Sequence, residues 1–110
     1  MGRAPTPMLQ GTLDLLILKA LLLEKRHGLG IAQRIEQITR GAYVVSPGSL
    51  FPALHKLEES GALRSSWGTS ANNRRANFYE LTTAGRKRLR NELAEWKRVA
   101  GAMSAAVESA

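Results

Sequence analysis

The chain has 110 residues, 44% of them hydrophobic, with no cysteine, two histidines and a formal net charge of +7. That length makes one folding unit with a modest core, and the aliphatic content excludes a disordered chain, while the lack of cysteine excludes a disulfide framework and thiolate chemistry. Two histidines cannot build a zinc site alone, and the apolar run Leu13 to Leu23 is too short to span a bilayer and holds Asp14 and Lys19, so no metal, cofactor or membrane anchor is expected and a reducing cytoplasm fits.

Residues 1–8 hold prolines, a glycine and an arginine, and read as a flexible arm. Leu9 to Leu23 is predicted helical from about Thr12, a possible N-cap, and is apolar on almost every side. A helix greasy all round has more to bury than one small core can cover, so Leu13, Leu16 and Ile17 are expected against a second subunit. Asp14 on that helix reads as a capping or pairing group. Glu24 to Gly28 is a polar break that leaves His27 in solvent. Ile31, Ile35 and Ile38 with Ala32 make Gly28 to Arg40 an amphipathic second helix, which Gly41 ends. Ala42 to Val45 leans to β structure.

Ser46 then opens a third helix. Its hydroxyl is a good N-cap, Pro47 already has helical φ, Leu50, Leu54 and Leu57 form one apolar face, and Gly61 stands where a left-handed residue ends a helix. Gly48, Pro52, His55, Lys56 and Glu59 point away from the leucines, giving an outward face that is small at its start and polar beyond. A small leading face lets a helix N-terminus approach a phosphate closely, where free amides favour an anion. On this helix alone an ordinary solvated face is the better account, because its charges nearly cancel.

The charge that follows decides against that bland account. Residues 1–60, 61–91 and 92–110 carry +2, +6 and −1, so the excess is concentrated just beyond the third helix, as a polyanion-binding surface requires. In the same stretch the period becomes two: Leu63, Ser65 and Trp67, then turn formers from Gly68 to Asn73, then Arg75, Asn77, Tyr79 and Leu81. This is a β-hairpin with Asn72, Asn73, Arg74 and Arg75 at its tip, donors suited to phosphates and minor-groove edges. Ser49, His55 and Lys56 are the candidate base or phosphate contacts on the helix. Trp67 reads as structural.

Thr82 or Thr83 caps a last helix in which Leu89, Leu93, Trp96, Ala100, Met103 and Val107 are spaced 4, 3, 4, 3, 4. That is the seam of two helices winding on each other, although packing within one chain produces the same spacing. Arg86, Lys87, Arg88 and Arg90 are either flanking phosphate contacts or a wet helix face. The fold class is therefore mainly α with a small hairpin: a winged helix-turn-helix over 9–81 and one long dimerisation helix over 82–110. Such a dimer binds double-stranded DNA with two third helices in successive major grooves and wings on the flanks. The alternative is a dimeric basic protein that holds RNA or an acidic partner. Catalysis is excluded: Ser49 and His55 lie on different faces of one helix with no third group to orient the histidine, and there is no phosphate-cradling glycine loop.

LQGTLDLLILKALL, HGLGIAQRIEQ, PGSLFPALHKLEESG and NNRRANFYELTTAGRKRL together resemble the PadR-like transcriptional regulators over roughly Leu9 to Val99. The resemblance implies a cytoplasmic bacterial repressor that binds an inverted repeat as a homodimer, with its first and last helices at the interface. It places Ser49, Phe51, Pro52 and Lys56 near DNA, and Asn72 to Arg75 on the wing. Position 51 is commonly tyrosine in the family, and Phe51 lacks the hydroxyl that would bond a phosphate. A single terminal helix resembles the short-tailed branch. Some relatives stack flat aromatic compounds between tryptophans at the dimer seam, which makes Trp96 a possible site for a small aromatic effector. Its residue-level reading is a large side chain that fills the interface.

Overall fold

The computed structural model describes residues 11–110, so the expected arm at 1–8 lies outside the described residues. The elements are α1 Thr12–Ala20, β1 Arg26–His27, α2 Gly28–Ile38, α3 Pro47–Glu59, β2 Leu63–Thr69, β3 Arg75–Leu81 and α4 Thr83–Glu108. The sheet is antiparallel in the order β1-β3-β2. A winged helix is thus followed by one long helix, as the sequence pattern predicts.

Three local readings need correction. Gly11, not Thr12, sits at the N-cap of α1; it adopts a left-handed φ of 87° and supplies no side chain to the cap. Glu24 to Gly28 is not a plain break, because Arg26 and His27 pair with Tyr79 and Phe78 as β1. Ala42 to Val45 forms no strand: it pairs with none of the three strands of the sheet, and a β-leaning composition makes no strand without a ladder partner. His27 is also not free in solvent: its Nδ1 accepts the Gly30 amide at 3.0 Å and caps α2. At the far end of α2, Gly41 at φ 80° donates its amide to the Glu36 carbonyl at 2.8 Å.

The core gathers Ile17, Leu18 and Leu21 around α1, Ile31 and Ile35 of α2, and Leu50, Leu54 and Leu57 of α3, closed by Leu63, Tyr79 and Leu81 of the sheet and by Leu89 of α4. Each such side chain contributes about 1.5–3 kcal/mol by leaving water. The core therefore outweighs any single cap. α1 joins α4 through polar contacts as well, since Arg88 donates to Asp14 at 3.1 Å and also bonds Glu92. That pairing raises the Arg88 pKa, with the Glu92 hydrogen bond the largest cause.

The two sequence candidates for the interface that lie deepest in this core are Ile17 and Leu89, at 0% and 2% exposure. Both are used by the chain's own packing and are not presented to a partner. Leu13, Leu16 and Leu93 are half-buried against the same core. Beyond Leu93 the helix leaves the body: from Ala94 to Ala110 every residue is exposed except Ala100, which is half-buried. Trp96, Met103 and Val107 lie on this free part, at 56%, 60% and 78% exposure.

Candidate nucleic-acid interface

α3 begins as its sequence dictates. Ser46 is extended, with ψ of 153°, and its Oγ accepts the Ser49 amide at 3.3 Å, while Pro47 fills the first helical position. Gly61 at φ 84° donates to the Glu58 carbonyl and ends the helix. Ser46, Gly48, Ser49, Phe51, Pro52, His55 and Lys56 are all exposed. Pro52 lies inside the helix and has no amide to donate to the Gly48 carbonyl.

β2 and β3 run in register from Leu63 opposite Leu81 to Thr69 opposite Arg75. The tip closes with Ser70 donating to the Arg74 carbonyl at 2.8 Å and Asn73 donating to Ser70 at 2.9 Å. Asn73 takes a left-handed φ of 59°, which asparagine tolerates. At the base, Ser65 donates to a Glu58 carboxylate oxygen at 2.7 Å and ties the hairpin to α3. Burial, reinforced by Glu58, pushes the Tyr79 hydroxyl above its ordinary value, against a smaller opposing hydrogen bond from Asn77.

The wing and α3 share a cleft of about 340 Å³, lined by Phe51 from α3, Gly28 and Leu29 from the start of α2, and Asn72, Arg74 and Arg75 from the wing. Phe51 lies directly on Gly28: a Cβ added there would stand 2.7 Å from the ring's Cζ, so only glycine admits the ring. Pro52 and Lys56 face elsewhere, into a groove of about 570 Å³ shared with Asp14 of α1 and Arg88 of α4. The candidate α3 residues therefore divide between two sides of the helix. Arg88, grouped in the sequence with free cations of α4, is instead committed to Asp14 and Glu92.

Sequence reasoning missed Gly28 and Leu29, whose only signal was the HGLG stretch at the helix start. It also misjudged Trp67. That ring is 63% exposed, belongs to no core cluster, and lies under the Arg75 guanidinium at 4.5 Å. Charge follows the same geometry. Among the described residues no carboxylate lies within ion-pair distance of Arg74, Arg75 or Lys56; the wing's one ion pair joins Arg64 to Glu80 at 3.0 Å, near its base.

Known proteins share this architecture. A family model described as the transcriptional regulator PadR-like family matches residues 17–91. The chain is 40% identical over 63 residues to the transcriptional regulator Rv3488 of Mycobacterium tuberculosis, covering 57% of this chain and 55% of that one, so it spans about half the length of that relative. Its fold is similar to smu.1704 from Streptococcus mutans, with a TM-score of 0.82, 28% identity, and 94% and 93% of the two chains covered. It is also similar in fold to the PadR-like transcriptional regulator BC4206 from Bacillus cereus, with a TM-score of 0.82, 21% identity, and 96% and 100% covered. With the family pattern running from the middle of α1 into α4 and the winged helix common to these structures, the chain belongs to the PadR-like family of transcriptional regulators.

Proposed function

We propose that this transcriptional regulator is a repressor that binds double-stranded DNA at an inverted repeat as a homodimer. The observation that carries the reading is the cleft in which Phe51 of α3 meets the uncompensated Arg74 and Arg75 of the wing. A helix with a small, exposed N-terminal face beside such cations is suited to a major groove, with the arginines reaching the adjacent phosphates or the narrow groove. Phe51 forms the cleft side of the helix part and Pro52 and Lys56 its other side, with Ser46, Gly48, Ser49 and His55 also exposed along α3 and its cap, while Asn72, Asn73, Arg74 and Arg75 form the wing.

The dimer reading rests on the free half of α4. Isolated helical segments of about fifteen residues are marginal in water, and this one is exposed along Trp96, Val99, Met103 and Val107. A second copy packed on that stripe supplies the missing burial, with Leu13 and Leu16 of α1 at the margin. Trp96 shares a groove of about 310 Å³ with Thr12 and Leu15 of α1 and with Val99. In the proposed dimer it is first an interface anchor, and a small aromatic effector is a further occupant to be tested there. Repression is steric: the seam sets the distance between the two α3 helices, and a change at the seam alters their match to successive grooves.

The test is capture of genomic DNA fragments on the purified protein at about physiological salt, where non-specific phosphate binding is weak. Enrichment of one inverted repeat, bound with one dimer per site, is the expected result. Binding without enrichment that collapses as salt rises would replace this reading with a general polyanion binder, of RNA or of an acidic partner.

A further inference from the structure

Arg75 could have been held on the wing in two ways. An ion pair would fix it but occupy the N–H groups that recognise a phosphate or a groove acceptor. The structure uses the other way. Trp67 opposes Asn77 and Thr69 opposes Arg75, so Trp67 and Arg75 are diagonal neighbours on one face of the hairpin, within reach across the two strands. The guanidinium lies 4.5 Å from the indole centroid, well inside the range of about 6 Å at which a cation gains from the ring's negative face. A contact of this kind consumes no hydrogen-bond donor, so the N–H groups of the guanidinium are left for another acceptor.

The rest of the wing makes this arrangement specific. Leu63, Tyr79 and Leu81 share the same hairpin face and are buried, whereas Trp67 is left in solvent beyond the edge of the core. Trp67 belongs to no hydrophobic cluster, and the Arg75 guanidinium lies over its ring. Phe78, on the opposite hairpin face, is covered by His27 at 5.4 Å and by Lys25 at 5.8 Å, and so takes no part in holding Arg75. Arg64, the one cation of β2, is tied to Glu80.

We propose that Trp67 is a positioning residue for DNA binding: it holds the Arg75 guanidinium ordered before contact, with its N–H groups left for an acceptor beside the cleft of Phe51, Asn72 and Arg74. This rests on the DNA-binding reading above and adds a residue that acts through another. Ordering a long side chain in advance removes part of the entropy lost on binding. An exposed cation–π contact corresponds to about a two- to five-fold gain in affinity.

The experiment is a double-mutant cycle on the full chain, with sonicated mixed-sequence duplex DNA as the probe at low salt. Wild type, Trp67→Leu, Arg75→Ala and the double variant are compared, with Trp67→Phe as the conservative replacement. Trp67→Leu is expected to weaken binding about two- to five-fold, to add nothing once Arg75 is alanine, and to be largely rescued by phenylalanine. Thermal unfolding of each variant should be close to wild type, since neither side chain is in the core. Wild-type binding combined with additive losses would mean that Trp67 touches DNA by itself, and wild-type binding with no loss in Trp67→Leu would mean that it orders nothing. Either result overturns the positioning role while leaving the DNA-binding reading intact. No duplex binding by wild type would remove both.

Discussion

Replacing Gly85 by alanine tests the closest approach in the fold. Its ideal Cβ would stand 2.0 Å from the Ala62 carbonyl oxygen, against about 3.3 Å for a close C···O contact. The start of α4 must therefore retreat by more than an ångström. That retreat pulls on the junction where Thr82 donates backbone and side-chain bonds to the same oxygen, each at 3.1 Å, and where its Oγ1 accepts the Gly85 amide at 3.0 Å. Overpacking costs about 1–3 kcal/mol and loss of the cap about 1 kcal/mol more, while the better helix propensity of alanine returns about 1 kcal/mol. A net loss of roughly 1–3 kcal/mol, or about 5–20 °C in Tm for a domain of this size, is expected. Gly101→Ala is the internal control, because the same substitution there meets nothing within 4 Å. It should instead raise stability by about 0.5–1 kcal/mol. Thermal melts of both variants at equal protein concentration make the comparison, since the proposed dimer makes Tm depend on concentration. Equal stabilisation by both alanines would show that α4 does not press on Ala62 as described.

On the DNA side, Arg75→Ala should weaken binding to all sequences and reduce the slope of log affinity against log salt by about 1, whereas Lys56→Ala should also relax preference at one base pair, costing about 1–3 kcal/mol on the preferred operator. Matched losses on every sequence would remove Lys56 from base readout. At the proposed seam, Met103→Glu should convert the proposed dimer to a folded monomer in sedimentation, because Met103 is exposed in the single chain; an unchanged dimer would place the interface elsewhere. Trp96→Ala should weaken the same association, and a dimer that persists but loses a response to an aromatic compound would assign Trp96 to effector binding. For Tyr79, whose pKa is raised in the folded state chiefly by burial, the unfolded chain releases the phenolic proton first. Stability is therefore full below the unfolded value of about 10 and falls as pH rises from there through the folded value. Urea midpoints measured from pH 8 upward should fall more steeply above that point in wild type than in Tyr79→Phe.

What was legible in the sequence was mostly local. Ser46, Pro47, Gly61 and Thr82 act on the backbone within a few residues of themselves, so their types announce the limits of α3 and α4 directly. The hairpin was legible because alternation and turn formers are also local signals. β1 was not: Arg26 and His27 have no particular preference for a strand and become one only because Phe78 and Tyr79 are brought beside them. The reverse holds for Ala42 to Val45, whose β preference finds no partner. In the candidate interface, charge and tip residues were readable, but the seat of Phe51 on Gly28 and the stacking of Arg75 on Trp67 depend on the packed chain. Ile17 and Leu89 were misassigned for a related reason: a heptad or an all-apolar helix does not say which of its positions the chain's own core takes first.

The short β1 strand has a mechanical consequence. β3 is the middle strand of the sheet, but β1 reaches it only at Phe78 and Tyr79, while Arg75, Ala76 and Asn77 are bonded on the β2 side alone. The hairpin is thus a cantilever, clamped at its root by α2 and α3 and loaded at its tip. A beam of this kind is displaced most at its free end and holds its angle where it is fixed. In the proposed complex the arginines would follow a groove that widens or narrows from one DNA sequence to another, while the root keeps α3 in its bearing, so one molecule would fit the local shape of its target without surrendering its aim.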